Sequence, residues 1–203
     1  MSTDEEATHR GRWYWENFAP EERHSGADLA ILRKGVGREA GDVWQISRYY
    51  RSINRSGETT FRLAAEHAAL TLFALHQQSQ PSSMHRAGVE LGTAARRLHT
   101  PAAKGGKQGD RSPSEAQGEP ASGKFSEEAV DRRMNQVATA TDRTELVAHL
   151  RGLVTMLRGI GQPLDYTQLL QDIERWHYTD ARVRIRARWG SHYFDWGSTK
   201  PST

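Results

Sequence analysis

The chain has 203 residues, a formal net charge of +3 and no cysteine. Its length suits one domain or two small lobes and can bury a core. The lack of cysteine excludes disulfides, thiolate metal sites and cysteine nucleophiles, and fits a reducing cytoplasm.

Mean hydropathy of −0.78 and a pI of about 9.3 describe a polar, mildly basic chain. Met1 to His9 is a polar tail, acidic up to Glu6, without the basic and apolar regions of a secretory signal. Trp13, Tyr14, Trp15 and Phe18 form an aromatic block expected to pack in a core. Ser25 to Asp28 opens a helix carrying Leu29, Ile31 and Leu32, and Gly35 and Gly37 stop or bend it. The GVGR segment lacks the ending of a phosphate loop and is not read as one. Val43 to Ile53 reads as another helix. Glu58 to Gln78 is the most apolar helix, with Phe61, Ala65, Ala68, Leu72 and Leu75 on one face and Leu63, Leu70 and Phe73 filling the rest. Such a helix is central and buried. His67 and His76 lie nine residues apart, which is no single-face metal spacing, and are read as packed or surface histidines. The longest apolar run, Ala68 to Leu75, is far too short to cross a bilayer.

Val89 to Leu98 is a short helix with Arg96 and Arg97 outside. Thr100 to Lys124 is rich in glycine and proline with little to bury, and is expected to be a long mobile loop. Beyond it, Phe125 and Val130 flank the N-cap Ser126 as a hydrophobic staple. Val130, Met134 and Val137 face inward, so Arg132 and Arg133 face outward. Asp142 and Glu145 form a capping box before the core face of Leu146, Leu150, Leu153 and Leu157. Arg151 and Arg158 share the other side, and Gly159, Gly161 and Pro163 end the helix. Asp165 caps the next helix, with Gln168 completing a box, Leu164 and Leu169 as a staple, and Leu170, Ile173 and Trp176 inside.

From Arg182 to Trp189, arginine alternates with Val183, Ile185, Ala187 and Trp189. A strand would put every arginine on one face. A helix capped by Asp180 is preferred, because the stripe Ile185, Trp189, Tyr193, Trp196 outlasts the alternation. The chain is therefore expected to be all-α, in two halves either side of the 100–124 loop. The predicted divisions are a tail (1–9), an N-terminal helical lobe (10–99), the loop (100–124), a C-terminal helical bundle (125–196) and a second tail (197–203).

Basic residues cluster between Arg33 and Arg62 and between Arg175 and Arg188, as a solvated surface or an anion-binding face. Acids and histidines show no triad, nuclease or metal-ligand spacing, and no cofactor is expected. A catalytic site assembled from distant residues stays open.

The ordered set VELGTAARRL, FSEEAVDRRM, TDRTELVAHLRGL and LDYTQLLQDIERW, ending in a basic helix, resembles the CasB family. That family is the small subunit of the type I-E Cascade complex of CRISPR immunity. ADLAILRKG resembles its early leucine–basic–basic motif. The likeness covers most of the chain outside the tails and the 100–124 loop. Where some members carry two adjacent basic residues, this chain has Arg151 followed by Gly152.

The resemblance implies an all-helical, two-lobed, non-catalytic subunit. Two copies would lie head to tail against the backbone and large subunits of the complex. They would help hold the guide RNA, the target DNA strand and the displaced non-target strand. Its basic positions carry over to Arg33, Lys34, Arg62, Arg133, Arg143 and Arg151, and Arg132 beside Arg133 joins the candidate set. Base pairing reads the sequence in an R-loop, so the protein need only neutralise phosphates along a groove, a task suited to guanidinium groups. Against this stand an adaptor whose basic faces meet acidic proteins, a helical enzyme such as a nuclease, and arginines paired within the bundle. Arg143 beside Asp142 and Glu145 is the leading case of the last.

Overall fold

The computed structural model describes residues 11–98 and 125–194. The expected tails, the 100–124 loop and Trp196 lie outside the described residues. Among those described, the α-helices are α1 (Ser25–Arg33), α2 (Phe61–His76), α3 (Leu91–Arg96), α4 (Glu127–Thr139), α5 (Arg143–Gly159), α6 (Tyr166–Arg175) and α7 (Thr179–Tyr193). Short 3-10 helices occupy Tyr14–Glu16 and Trp44–Tyr49, and the only strand-like pairing among these residues is a bridge between His85 and Leu164.

The all-α expectation holds. Helix α2 is buried from Leu63 to Ala74, as its all-round apolar sequence requires. Helices α1, α5 and α6 cover it, α3 packs on α7, and α4 packs on α5. The buried side chains form one cluster that runs from Trp15 to Tyr193, so residues before and after the 100–124 segment share a core.

Side-chain caps set four of the helix starts. Thr60 Oγ1 accepts from Leu63 N at 3.1 Å, and Ser126 Oγ from Ala129 N at 3.3 Å. Asp142 Oδ1 accepts from Glu145 N at 2.8 Å, and Asp165 Oδ1 from Gln168 N at 3.0 Å. Each such cap contributes about 1 kcal/mol. The expected boxes close differently. Glu145 reaches past the cap to Thr141 N at 2.7 Å, and Gln168 turns to Asp172 Oδ1 at 3.1 Å. Asp165 Oδ2 instead accepts from Gly88 N at 2.7 Å, tying the start of α6 to the loop before α3.

The Arg182–Trp189 run is helical. Ala181, Ile185, Trp189 and Tyr193 are buried at a spacing of one helical turn. The helix starts at Thr179 with Tyr178 at the cap, so Asp180 is not the cap but lies in the first turn, where its carboxylate meets the positive end of the helix. Three further expectations are corrected. The helix read over Val43 to Ile53 is only a 3-10 helix, and its Trp44 is 85% exposed. Phe61, placed on the core face, is 57% exposed and stacks on His177, ring centroids 3.8 Å apart. Helix α3 is shorter than Val89 to Leu98, ending at Arg96.

The aromatic block near the start packs as expected. Trp15 is buried and donates from Nε1 to Thr167 Oγ1 at 3.0 Å. That hydroxyl in turn donates to Glu16 Oε1 at 2.6 Å, clasping the first described turn to α6.

Candidate nucleic-acid interface

Helix α1 ends in a tight turn that carries Arg33, Lys34 and Arg38. Gly35 makes the turn close enough to lie against α2. A Cβ there would fall 2.5 Å from Ile46 Cδ1 and 2.8 Å from His67 Cε1. His67 is buried on α2, with Nε2 3.1 Å from the Gly35 carbonyl oxygen and Nδ1 2.6 Å from the Tyr50 hydroxyl. A carbonyl only accepts, so Nε2 carries the proton and Nδ1 accepts from Tyr50. Burial lowers the His67 pKa, which keeps this neutral tautomer in place.

The turn faces α5 across a cleft of about 200 Å³ whose walls include Val36, Arg38, Ala68, Val147, Arg143 and Arg151. Thr144, Val147, Ala148 and Arg151 also line it, at the i, i+3, i+4, i+7 spacing of one helix face. The Arg151 guanidinium crosses to the turn, its Nη1 3.5 Å from where a Gly37 Cβ would stand. Arg143 Nη2 lies 3.3 Å from Glu39 Oε2, so its partial partner comes from the turn and not from Asp142 or Glu145. Glu145 is occupied by Thr141 and His149. Arg33, Lys34, Arg38 and Arg151 have no carboxylate partner among the described residues.

Arg133 reaches the same helix from α4. Its guanidinium lies on the backbone of Gly152, and it donates from Nη1 to Gln136 Oε1 at 3.0 Å. Arg132 is exposed next to it, about 100° round α4. Arg62 stands apart. Its Nη1 is 2.5 Å from Glu174 Oε2, and its guanidinium lies over the Trp13 ring at 5.0 Å. The cleft takes Ala64, Ala68 and Thr71 from α2, and Arg62 is two residues before that face, so it points to the opposite side.

The C-terminal arginine cluster is largely structural. Arg182 donates from Nη1 to the Thr141 carbonyl oxygen, and Arg186 from Nη2 to that of Ala140 at 3.2 Å. These cations meet the negative end of α4. Arg188 Nη2 lies 2.5 Å from the buried Asp172 Oδ1, and its Nε lies 2.7 Å from Glu90 Oε2. Arg158 likewise bonds Leu75 O at 3.3 Å and Gln78 Oε1 at 2.8 Å, closing the end of α2.

Arg38 in the cleft and Gly152 under Arg133 are not among the candidate residues read from the sequence. Arg38 lay in plain view in the basic cluster. Gly152 had one signal, a glycine inside a strong helical pattern, which costs about 1 kcal/mol against alanine and marks a close approach. No group of three metal-binding side chains forms among the described residues, and none of their helices is long and apolar enough to cross a membrane.

These features define an all-helical protein that gathers cations from both halves of its chain over one cleft. Residues 28–194 match the family described as CRISPR-associated protein Cse2, and the chain belongs to that family. Its fold is similar to CasB from Thermobifida fusca, at 27% identity and a TM-score of 0.62, covering 94% of each chain. It is also similar to CasB from Thermus thermophilus, at 18% identity and a TM-score of 0.61, covering 96% of this chain and 99% of that one. No curated protein matches the sequence.

Proposed function

We propose that this chain is a non-catalytic small subunit of a type I-E CRISPR RNA-guided complex, acting in the cytoplasm. In this role it stabilises the guide RNA–target DNA heteroduplex and the displaced non-target strand. The observation that carries the reading is the convergence of Arg38 with Arg143 and Arg151 on one cleft, from opposite halves of the chain. Arg33 and Lys34 come just before the cleft residues Val36 to Glu39 in sequence, and Arg133 lies at Gly152, on the flank of α5 next to the cleft face. A polyanion crossing the cleft meets Arg38 and Arg151, which no described carboxylate pairs, and Arg143, which shares Glu39; each phosphate neutralised adds to a salt-dependent affinity. R-loop exchange is nearly balanced, so a few contacts of about 1 kcal/mol each can tip it. The expected partners are the nucleic-acid strands, a second copy placed head to tail, and the backbone and large subunits.

The test is R-loop formation by the assembled complex carrying Arg38→Glu, Arg143→Glu and Arg151→Glu. Weaker R-loops with a smaller salt slope are expected, by about 0.7–0.9 per lost phosphate contact. Unchanged affinity and slope in a properly assembled complex would overturn the reading.

A second reading, an adaptor without direct nucleic-acid contact, is favoured by exposed Trp44, Phe61, Tyr178 and Val183. It predicts that the charge variants fail to assemble while the complexes that do form bind nucleic acid normally.

A further inference from the structure

Gly152 lies within α5, seven residues from its C-terminal end, with core residues Leu150, Leu153 and Val154 around it. Nothing about its backbone calls for glycine, since it is helical. What distinguishes it is its neighbour. A Cβ at Gly152 would stand 2.8 Å from Arg133 Cζ, 2.9 Å from Nη1 and 3.1 Å from Nε. All three contacts are with the guanidinium plane, so the group lies flat against the helix where a side chain would otherwise project. Even the smallest side chain would push the guanidinium away, because real Cβ atoms do not approach a neighbour this closely.

The seat also fixes a direction. Residues 145, 148 and 152 share one flank of α5, and residues 144, 147, 148 and 151 share the cleft face; Ala148 belongs to both. Arg133 is thereby held on the flank next to the cleft face, beside the residue that sends Arg151 across to Gly37. Its bond to Gln136 Oε1 holds one end of the fork, and no carboxylate partners it among the described residues. A free arginine chain would lose considerable rotamer entropy on meeting a phosphate, and a seated one has already lost much of it.

We infer that Gly152 is a positioning residue, whose missing side chain seats the Arg133 guanidinium as a pre-set phosphate contact beside Arg151. The inference rests on the nucleic-acid reading above. Its test uses assembled complexes carrying Gly152→Ala, Arg133→Ala, both together, or Arg151→Ala. R-loop affinity and its salt slope are measured, with the thermal midpoint of each purified chain.

Gly152→Ala is expected to keep or raise the midpoint, because alanine is the better helix former. It should nevertheless weaken R-loop binding about threefold to tenfold, as far as Arg133→Ala does. The double variant should be no weaker than either single one. Wild-type binding by Gly152→Ala beside an impaired Arg133→Ala overturns the seat and leaves the broader reading standing. Equal losses from Gly152→Ala with and without Arg133 also overturn it. Wild-type binding by both Arg133→Ala and Arg151→Ala counts against the nucleic-acid reading itself. Should Gly152→Ala lower the midpoint through crowding, recovery of the midpoint in the Arg133→Ala background supports the seat, and failure to recover it overturns the seat.

Discussion

His67 Nε2 donates to the carbonyl oxygen of Gly35 across 3.1 Å, fastening the central helix to the turn that presents Lys34 and Arg38. The bond and the missing Cβ at Gly35 act together, since a methyl group there would press on the same imidazole. Gly35→Ala should therefore cost about 1–3 kcal/mol, the usual range for overpacking. His67→Phe should cost about as much, because it leaves the buried Tyr50 hydroxyl without its acceptor, while the Gly35 carbonyl keeps only the Arg38 N–H at 3.0 Å. Urea unfolding of the two variants reads both effects, and wild-type midpoints would show that the turn is held by something else.

Asp172 is 3% exposed, and burial raises its pKa against the pull of Arg188. Its carboxylate accepts from Arg188 Nη2, from Trp189 Nε1 at 2.9 Å and from Gln168 Nε2 at 3.1 Å. Asp172→Ala leaves the buried Trp189 Nε1 without its acceptor while Arg188 keeps Glu90 at 2.7 Å, a change that costs about 1–3 kcal/mol. Chemical denaturation should show a loss of that order, with Asp172→Asn falling between the two. A loss below about 1 kcal/mol for the alanine variant would mean that Trp189 Nε1 does not depend on this carboxylate.

Acid should weaken the fold before its carboxylates titrate. Burial lowers the His76 pKa to about 3, and it lowers those of His67 and His85 as well. The unfolded chain protonates these rings near pH 6.5. Below that pH the unfolded state binds more protons than the native one, so stability falls as pH falls. For His76 the slope approaches about 1.4 kcal/mol per pH unit. Urea midpoints between pH 7.5 and 5.5 should decline, and His76→Gln should decline less steeply. A flat profile would mean that the ring is protonated in the folded protein.

The crossing of α3 over α7 depends on Gly92. A Cβ there would lie 2.2 Å from the Trp189 carbonyl oxygen and 3.0 Å from Tyr193 N, and neither backbone atom can swing aside. Gly92→Ala must separate the helices at a cost of about 3 kcal/mol or more. Calorimetry should find the thermal midpoint lower by roughly 6–12 °C for a domain of this size. A midpoint unchanged from wild type would place the crossing elsewhere.

The helices were legible because their signals are local. Thr60 is the exception among the four bonded caps, since Ser126, Asp142 and Asp165 all announced themselves, and the apolar surround of α2 declared its burial. The register of Ile185, Trp189 and Tyr193 decided between helix and strand correctly. Phe61 was misplaced because spacing shows a face but not whether anything covers it. The arginines were harder still. Arg62, Arg186 and Arg188 differ little in sequence from Arg38 and Arg151, yet the first three meet partners 112, 46 and 16 residues away. Only the tertiary fold separates cations that hold the bundle together from cations left facing the cleft.

The clasp between Trp15 and Thr167 joins groups 152 residues apart. Helix α2 likewise waits for α5 and α6, made much later, to cover it. At 5–20 residues per second the ribosome needs on the order of ten seconds to deliver them. During that interval α1 and the Tyr14–Glu16 helix shelter only part of the greasiest segment of the nascent polypeptide, and the faces that await α5 and α6 stay bare to chaperones.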